Sequence, residues 1–122
     1  MSQRFQPSGW HTITPRIFTE DVGGLIGFLI AVFDAHGTHQ PGVPAQIKIG
    51  DSLVMISDGG DVREAQAAFL YVYVQDTDET YRRAIAANAE SVEKPFDTPY
   101  GDRRATVADP WGNTWQIATF RG

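Results

Sequence analysis

Between positions 22 and 33 the chain reads VGGLIGFLIAVF, and this stretch limits the possible folds more than any other. Asp21 stands where a helix cap is wanted. From there Val22, Leu25, Ile26, Phe28, Leu29, Ile30, Val32 and Phe33 make the helix apolar around most of its circumference, so it needs cover on more than one side. Gly23, Gly24 and Gly27 each cost about 1 kcal/mol of helix propensity relative to alanine. Packing must therefore hold the helix, and close approach of another element is the expected compensation. The apolar run 25–33 falls far short of the roughly 20 residues that cross a bilayer, so no membrane span is expected. With 29 Leu, Ile, Val and Phe among 122 residues there is material for one core, and 1–122 reads as a single domain.

The rest of the chain supplies the cover. Residues 12–18 (TITPRIF) are β-branched and aromatic with a proline inside, which suits a strand at a sheet edge. Residues 35–44 are loop-like, and 45–49 and 53–57 flank Gly50-Asp51-Ser52 as a hairpin. An acidic, glycine-containing linker at about 59–66 then separates a first module, about 10–58, from a second, about 67–120. In the second, 69–74 alternates Phe69, Tyr71 and Tyr73 with Leu70, Val72 and Val74, the period of a strand with two different neighbours. Asp76-x-x-Glu79 opens a helix expected to reach about Ala89, with Tyr81, Ala84, Ile85 and Asn88 along one side. Strands follow at 91–95, 103–108 and 114–120, the last two joined by the turn Asp109-Pro110-Trp111-Gly112-Asn113. The order is strand-helix-hairpin, then strand-helix-strand-strand-strand, an α+β domain whose antiparallel strands are covered on one side by helices.

Composition removes several functions. The chain has no cysteine, so disulfides, thiolate catalysis and Cys-ligated metal centres are out. A net charge of −5 with only Lys48 and Lys94 as lysines gives no phosphate-backbone footprint, and nucleic-acid binding is not expected. The first ten residues hold no apolar run, and a cytoplasmic protein is expected. His36-x-x-His39 lies in a glycine- and proline-containing loop with no third ligand near it, and reads as a solvated loop. His11 reads as a surface histidine. No serine elbow is present to supply a nucleophile. Asp109 and Asn113 flank a Pro-Trp-Gly turn, where such residues bond their own backbone. Trp115, alternating with Gln116, is expected to face a helix, and Trp111 to cover an edge or a pocket rim.

Pro99-Tyr100-Gly101-Asp102-Arg103, together with Val107-x-Asp109-Pro110-Trp111-Gly112-Asn113-x-Trp115-x-Ile117-Ala118-Thr119, resembles the vicinal-oxygen-chelate superfamily of glyoxalase I, bleomycin-resistance proteins and extradiol dioxygenases, and within it the PhnB-like branch. Thr14-Pro15 with Asp21, and Ile49-Gly50-Asp51-Ser52, add weaker support. The resemblance implies paired βαβββ modules forming a cup-shaped antiparallel half-barrel with helices outside, as a homodimer. The first module is shortened, because 35–44 leaves little room for its second strand. Family members that use a metal hold it with four inward residues, which align here with Thr14, Met55, Phe69 and Gln116. A slip of one residue brings in Ile13, Val54, Leu70 and Trp115 or Ile117. Neither set offers the imidazole and carboxylate donors a divalent ion needs, so no metal and no other cofactor are expected.

The same resemblance lines the cup with Arg16, Met55, Phe69, Tyr71, Tyr73 and Gln116. Aromatic plates with a few hydrogen-bonding groups and one inward guanidinium suit a planar or weakly anionic organic ligand. Arg16 could equally pair with Asp102 or Asp109, and Arg103 could be a second polar contact or a strand-anchoring pair. Three functions stay open: a metal-free protein that binds or sequesters a planar aromatic or hydrophobic molecule; an enzyme of the same fold using Arg16, Tyr71 or Tyr73, or less readily a metal-dependent lyase, dioxygenase or transferase; and a dimer whose cups are filled by its own side chains.

Overall fold

A computed structural model describes residues 5–58 and 66–122. Most of the expected linker lies outside the described residues. The first part runs β1 (Arg16–Phe18), α1 (Val22–Phe33), β2 (Ala45–Ile49) and β3 (Ser52–Ser57), and the second β4 (Phe69–Tyr73), α2 (Thr77–Ala86), β5 (Glu90–Asp97), β6 (Asp102–Ala108) and β7 (Thr114–Phe120).

The strands form two open sheets, ordered β1-β3-β2 and β4-β7-β6-β5. Each is mixed rather than wholly antiparallel. The strand before the helix lies parallel to the last strand of its own module, β1 beside β3 and β4 beside β7, and the remaining pairs are antiparallel. The second sheet is thus a full βαβββ unit, and the first is the same unit one strand short. Where the absent strand would run, His36 and Lys48 exchange a single pair of backbone bonds, 2.9 and 2.7 Å long. Pro41 and Pro44 have no N–H to extend that pairing. Gly37 sits at φ 148°, where a Cβ would meet the Gln46 carbonyl oxygen at 2.4 Å.

α1 finds its cover within the chain. Leu25, Ile26, Phe28, Leu29, Val32 and Phe33 are all buried, and of the large side chains only Ile30 is exposed. Asp21 caps the helix by accepting from the Gly24 N–H at 2.9 Å, and Trp111 from the β6–β7 turn lies over the same end. Its indole N–H donates to Asp21 Oδ2 at 3.1 Å, and its ring meets Phe28 edge-on with centroids 6.0 Å apart. A Cβ on residue 24 would come within 2.7 Å of that indole, so Gly24 is the close approach expected from the glycines, whereas Gly23 and Gly27 face open space. On the other side Phe33 packs on the fully buried Trp115, centroids 5.5 Å apart.

Two local expectations change. Strand pairing begins at Arg16 rather than residue 12: Pro15 accepts from the Met55 N–H at 3.0 Å but has no N–H to return. α2 ends at Ala86, with Asn88 in the left-handed region at φ 76°, and it buries Thr77, Thr80 and Ala84 while Ile85 turns outward. Threonines fix this rotation. Thr77 Oγ1 donates to the Arg103 carbonyl at 2.9 Å, and its N–H donates to Thr119 Oγ1 at 3.1 Å, locking the start of α2 onto β6 and β7. No helix among the described residues is long and apolar enough to cross a membrane.

Candidate functional site

The second sheet turns Leu70 and Val72 of β4, Ala105 and Val107 of β6, and Trp115 and Ile117 of β7 toward the helices and core. Period-two alternation then sends their neighbours to the helix-free face. Phe69, Tyr71 and Tyr73 stand there in a row, 66, 37 and 62% exposed, opposite Thr114, Gln116 and Ala118 of β7. Register carries the face across Arg104 and Thr106 of β6 to Glu93 and Phe96 of β5.

The polar groups on this face satisfy one another. Asp102, 3% exposed, accepts on one oxygen from Tyr71 Oη at 2.7 Å and from Tyr73 Oη at 3.0 Å. Tyr71 Oη lies 3.5 Å from Tyr100 Oη, which accepts from Arg104 Nη1 at 2.6 Å. Arg104 grips Glu93 with two N–H groups, at 3.2 and 3.3 Å, and lies over the Phe96 ring. Glu93 also accepts from Thr106, whose hydroxyl is 3.5 Å from Gln116 Nε2. The rings of Tyr71 and Tyr73 meet at 61° with centroids 5.4 Å apart.

These contacts set the protonation states. Burial and the bond to Asp102 push the Tyr71 phenol well above its usual range, and the Asp102 bond raises that of Tyr73. Both stay neutral donors in ordinary buffers. The Thr106 hydroxyl and the Arg104 guanidinium hold Glu93 below the usual carboxylate range, against the opposing effect of burial. A phenol hard to ionise and a carboxylate hard to protonate are poorly suited to general acid–base work near neutral pH.

The structure brings Phe69, Tyr71, Tyr73 and Gln116 onto one face and places Arg16 and Met55 elsewhere, paired across β1 and β3. Arg16 donates to Ser57 Oγ at 3.3 Å and lies over Phe18, at the wall of a hollow of about 810 Å³ that also takes in His39 and Val43. The alternative pairing with Asp102 or Asp109 does not form, since those carboxylates serve other donors. Asp109 accepts four bonds of 2.8 to 2.9 Å, from the Trp111 and Asn113 N–H groups, Asn113 Nδ2 and Trp115 Nε1. Asn113 Oδ1 in turn accepts from the Ala68 N–H at 2.9 Å and fixes where β4 begins. Arg103 takes the anchoring role, forking onto Asp78 at 3.0 and 3.1 Å on the helix side of the sheet. Tyr71 and Tyr73 also border an apolar cleft of about 280 Å³ with Pro15, Val54 and Trp115.

Sequence reasoning passed over Asp102, Arg104, Glu93 and Thr106 as members of this face. The signal was present for β6: Asp102, Arg104 and Thr106 follow the same alternation that picked out Phe69, Tyr71 and Tyr73.

The four family positions fail as a metal centre on donor chemistry. Val54, Leu70, Trp115 and Ile117 of the slipped register belong to the core, which leaves Thr14, Met55, Phe69 and Gln116, a set with no imidazole and no carboxylate. Among the described residues no three His, Cys, Asp or Glu side chains come together.

A sequence model described as the Glyoxalase/Bleomycin resistance protein/Dioxygenase superfamily matches residues 8–117. The chain belongs to that superfamily. An uncharacterized protein of Mycobacterium bovis is 28% identical over 86% of this chain and 80% of its own length. Among solved structures, TioX from Micromonospora sp. ML1 superposes with a TM-score of 0.75 at 24% identity, over 90% of this chain and 98% of its own. A lactoylglutathione lyase from Agrobacterium tumefaciens gives 0.68 at 18% identity, over 93% and 94%. At these identities the structural matches speak for the superfamily fold alone.

Proposed function

We propose that this superfamily member, of the PhnB-like branch, is a metal-free cytoplasmic protein that binds a planar aromatic molecule on the helix-free face of its second sheet. Phe69, Tyr71 and Tyr73 supply stacking surface and Gln116 a hydrogen-bonding edge, while Arg16 and Met55 lie apart from this site on the first sheet. The protein works as a homodimer. α1 offers little surface for that dimer, being covered within its own chain, so the exposed aromatic face is where a second copy would close over bound ligand.

One observation carries the reading: three large rings of one strand stand exposed beside polar groups that are already bonded to one another. Exposed aromatic surface next to a few fixed polar groups is what a stacking ligand requires, and a row of rings left open is costly unless something covers it. A cup filled by its own side chains would have hidden these rings. The acid–base alternative loses support from the two phenols, whose bonds to Asp102 keep them protonated.

The test is a titration of isotopically labelled protein with a neutral planar probe, 4-methylquinoline, followed by amide resonances. Saturable shifts centred on β4 and β7 are expected. Shifts spread evenly over the surface, or confined to α1, would reject the site.

A further inference from the structure

The charge at this face sets which class of aromatic ligand fits. Arg104, the one cation in the network, is held by two bonds to Glu93 and stacked over Phe96 on the β5 side. On the tyrosine side the Asp102 carboxylate, 3% exposed, sits at the hydroxyl ends of both rings, and Arg104 reaches that side through the Tyr100 hydroxyl, which it bonds at 2.6 Å. With Glu93 set against Arg104, the group of Asp102, Glu93 and Arg104 keeps one net negative charge, on the carboxylate to which Tyr71 and Tyr73 both donate. Arg16, which would have favoured an anion, lines a different hollow with Ser57 and His39.

The rings themselves add to this. Each phenol donates to a carboxylate, a charge-assisted bond that draws electron density toward the ring and strengthens the negative face of the π system. Two such rings meeting at 61° form two walls of a corner, and a cation held against aromatic faces is attracted by the ring quadrupoles. Phe69, two residues back on the same strand, extends the apolar floor on which the flat part of a ligand would lie.

We infer that the ligand is a planar aromatic cation, carrying a quaternary or protonated nitrogen that sits against the faces of the Tyr71–Tyr73 corner, whose hydroxyls are held by the Asp102 carboxylate. The inference rests on the reading of this face as an aromatic-ligand site and adds the sign of the charge. It points away from anionic aromatics such as carboxylates and phenolates.

The experiment compares three probes of one ring system on the full chain at about pH 8: 1-methylquinolinium, neutral 4-methylquinoline and quinoline-4-carboxylate. The cation is expected to bind about tenfold more tightly than the neutral probe, and the anion most weakly of the three. Raising the salt concentration should weaken the cation and leave the neutral probe unchanged, because only the former is attracted by a charge that ions screen. Asp102→Asn keeps an acceptor for the phenols and should bring the cation-to-neutral ratio toward one. A neutral probe that binds on β4 as tightly as the cation, or a cation affinity indifferent to salt, overturns the charge inference and leaves the aromatic site standing. Binding of none of the three overturns both, and the salt series decides the matter even if Asp102→Asn does not fold.

Discussion

Replacing Phe69 with alanine separates a ligand-facing ring from a structural one. A Phe side chain presents about 200 Å² of surface, of which 66% is exposed here, so about 130 Å² is open to a partner. A flat ligand covers one face of the ring, about half of that area. At about 25 cal/mol per Å², the contact contributes about 1.6 kcal/mol, a weakening of about 15-fold in affinity when the ring is removed. Folding stability should hardly change, by about 0.5 kcal/mol or less, since little of the ring is packed against the chain. Urea unfolding gives the stability and a probe titration gives the affinity, both on the same preparation. An affinity loss below twofold would refute the stacking role, and a stability loss above about 1.5 kcal/mol would show that the ring is part of the core.

Asp109→Ala leaves four donors without an acceptor, among them the fully buried Trp115 indole, and should cost about 3 kcal/mol or more in urea unfolding; a loss below about 1 kcal/mol would remove the carboxylate from the account of the β6–β7 turn. Gly27→Ala has room for its methyl group and should raise the melting temperature by a few degrees, whereas Gly24→Ala would drive a Cβ against Trp111 and should lower it; equal effects would contradict the packing at the N-terminus of α1. Tyr71 ionises less readily folded than unfolded, so its stabilising effect is complete below about pH 10 and is lost as the pH rises beyond that. Subtracting the ultraviolet titration of Tyr71→Phe should isolate a phenol that ionises above its usual range, and a midpoint near 10 would contradict its bond to Asp102. Glu93 and Asp78 are lowered, by Thr106 and Arg103 respectively, so their contributions are present above about pH 4.5 and fade as the pH falls below it.

Local signals in the sequence were enough wherever one element decides its own structure. The cap at Asp21 and the apolar circumference after it mark α1, and the alternation of 69–74 puts Phe69, Tyr71 and Tyr73 on one face before any neighbour is known. Glu93 was not legible in this way, because β5 pairs with β6 through register shifts between Ser91 and Phe96 that no local pattern announces. Arg103 and Arg104 are adjacent and chemically alike, yet alternation groups Arg103 with the apolar Ala105 and Val107, and in the fold Arg103 meets α2 while Arg104 meets the open face. The rotation of α2 depends on Thr119, 42 positions from Thr77, so its apolar side chains alone point to the wrong buried stripe.

The central claim, a metal-free protein with an aromatic-ligand face on its second sheet, is tested most directly by native mass spectrometry of untagged, freshly purified protein beside Phe69→Ala. The account predicts a metal-free dimer carrying an organic adduct that is depleted in the variant. A divalent metal retained stoichiometrically, or an adduct held equally well without Phe69, would contradict it.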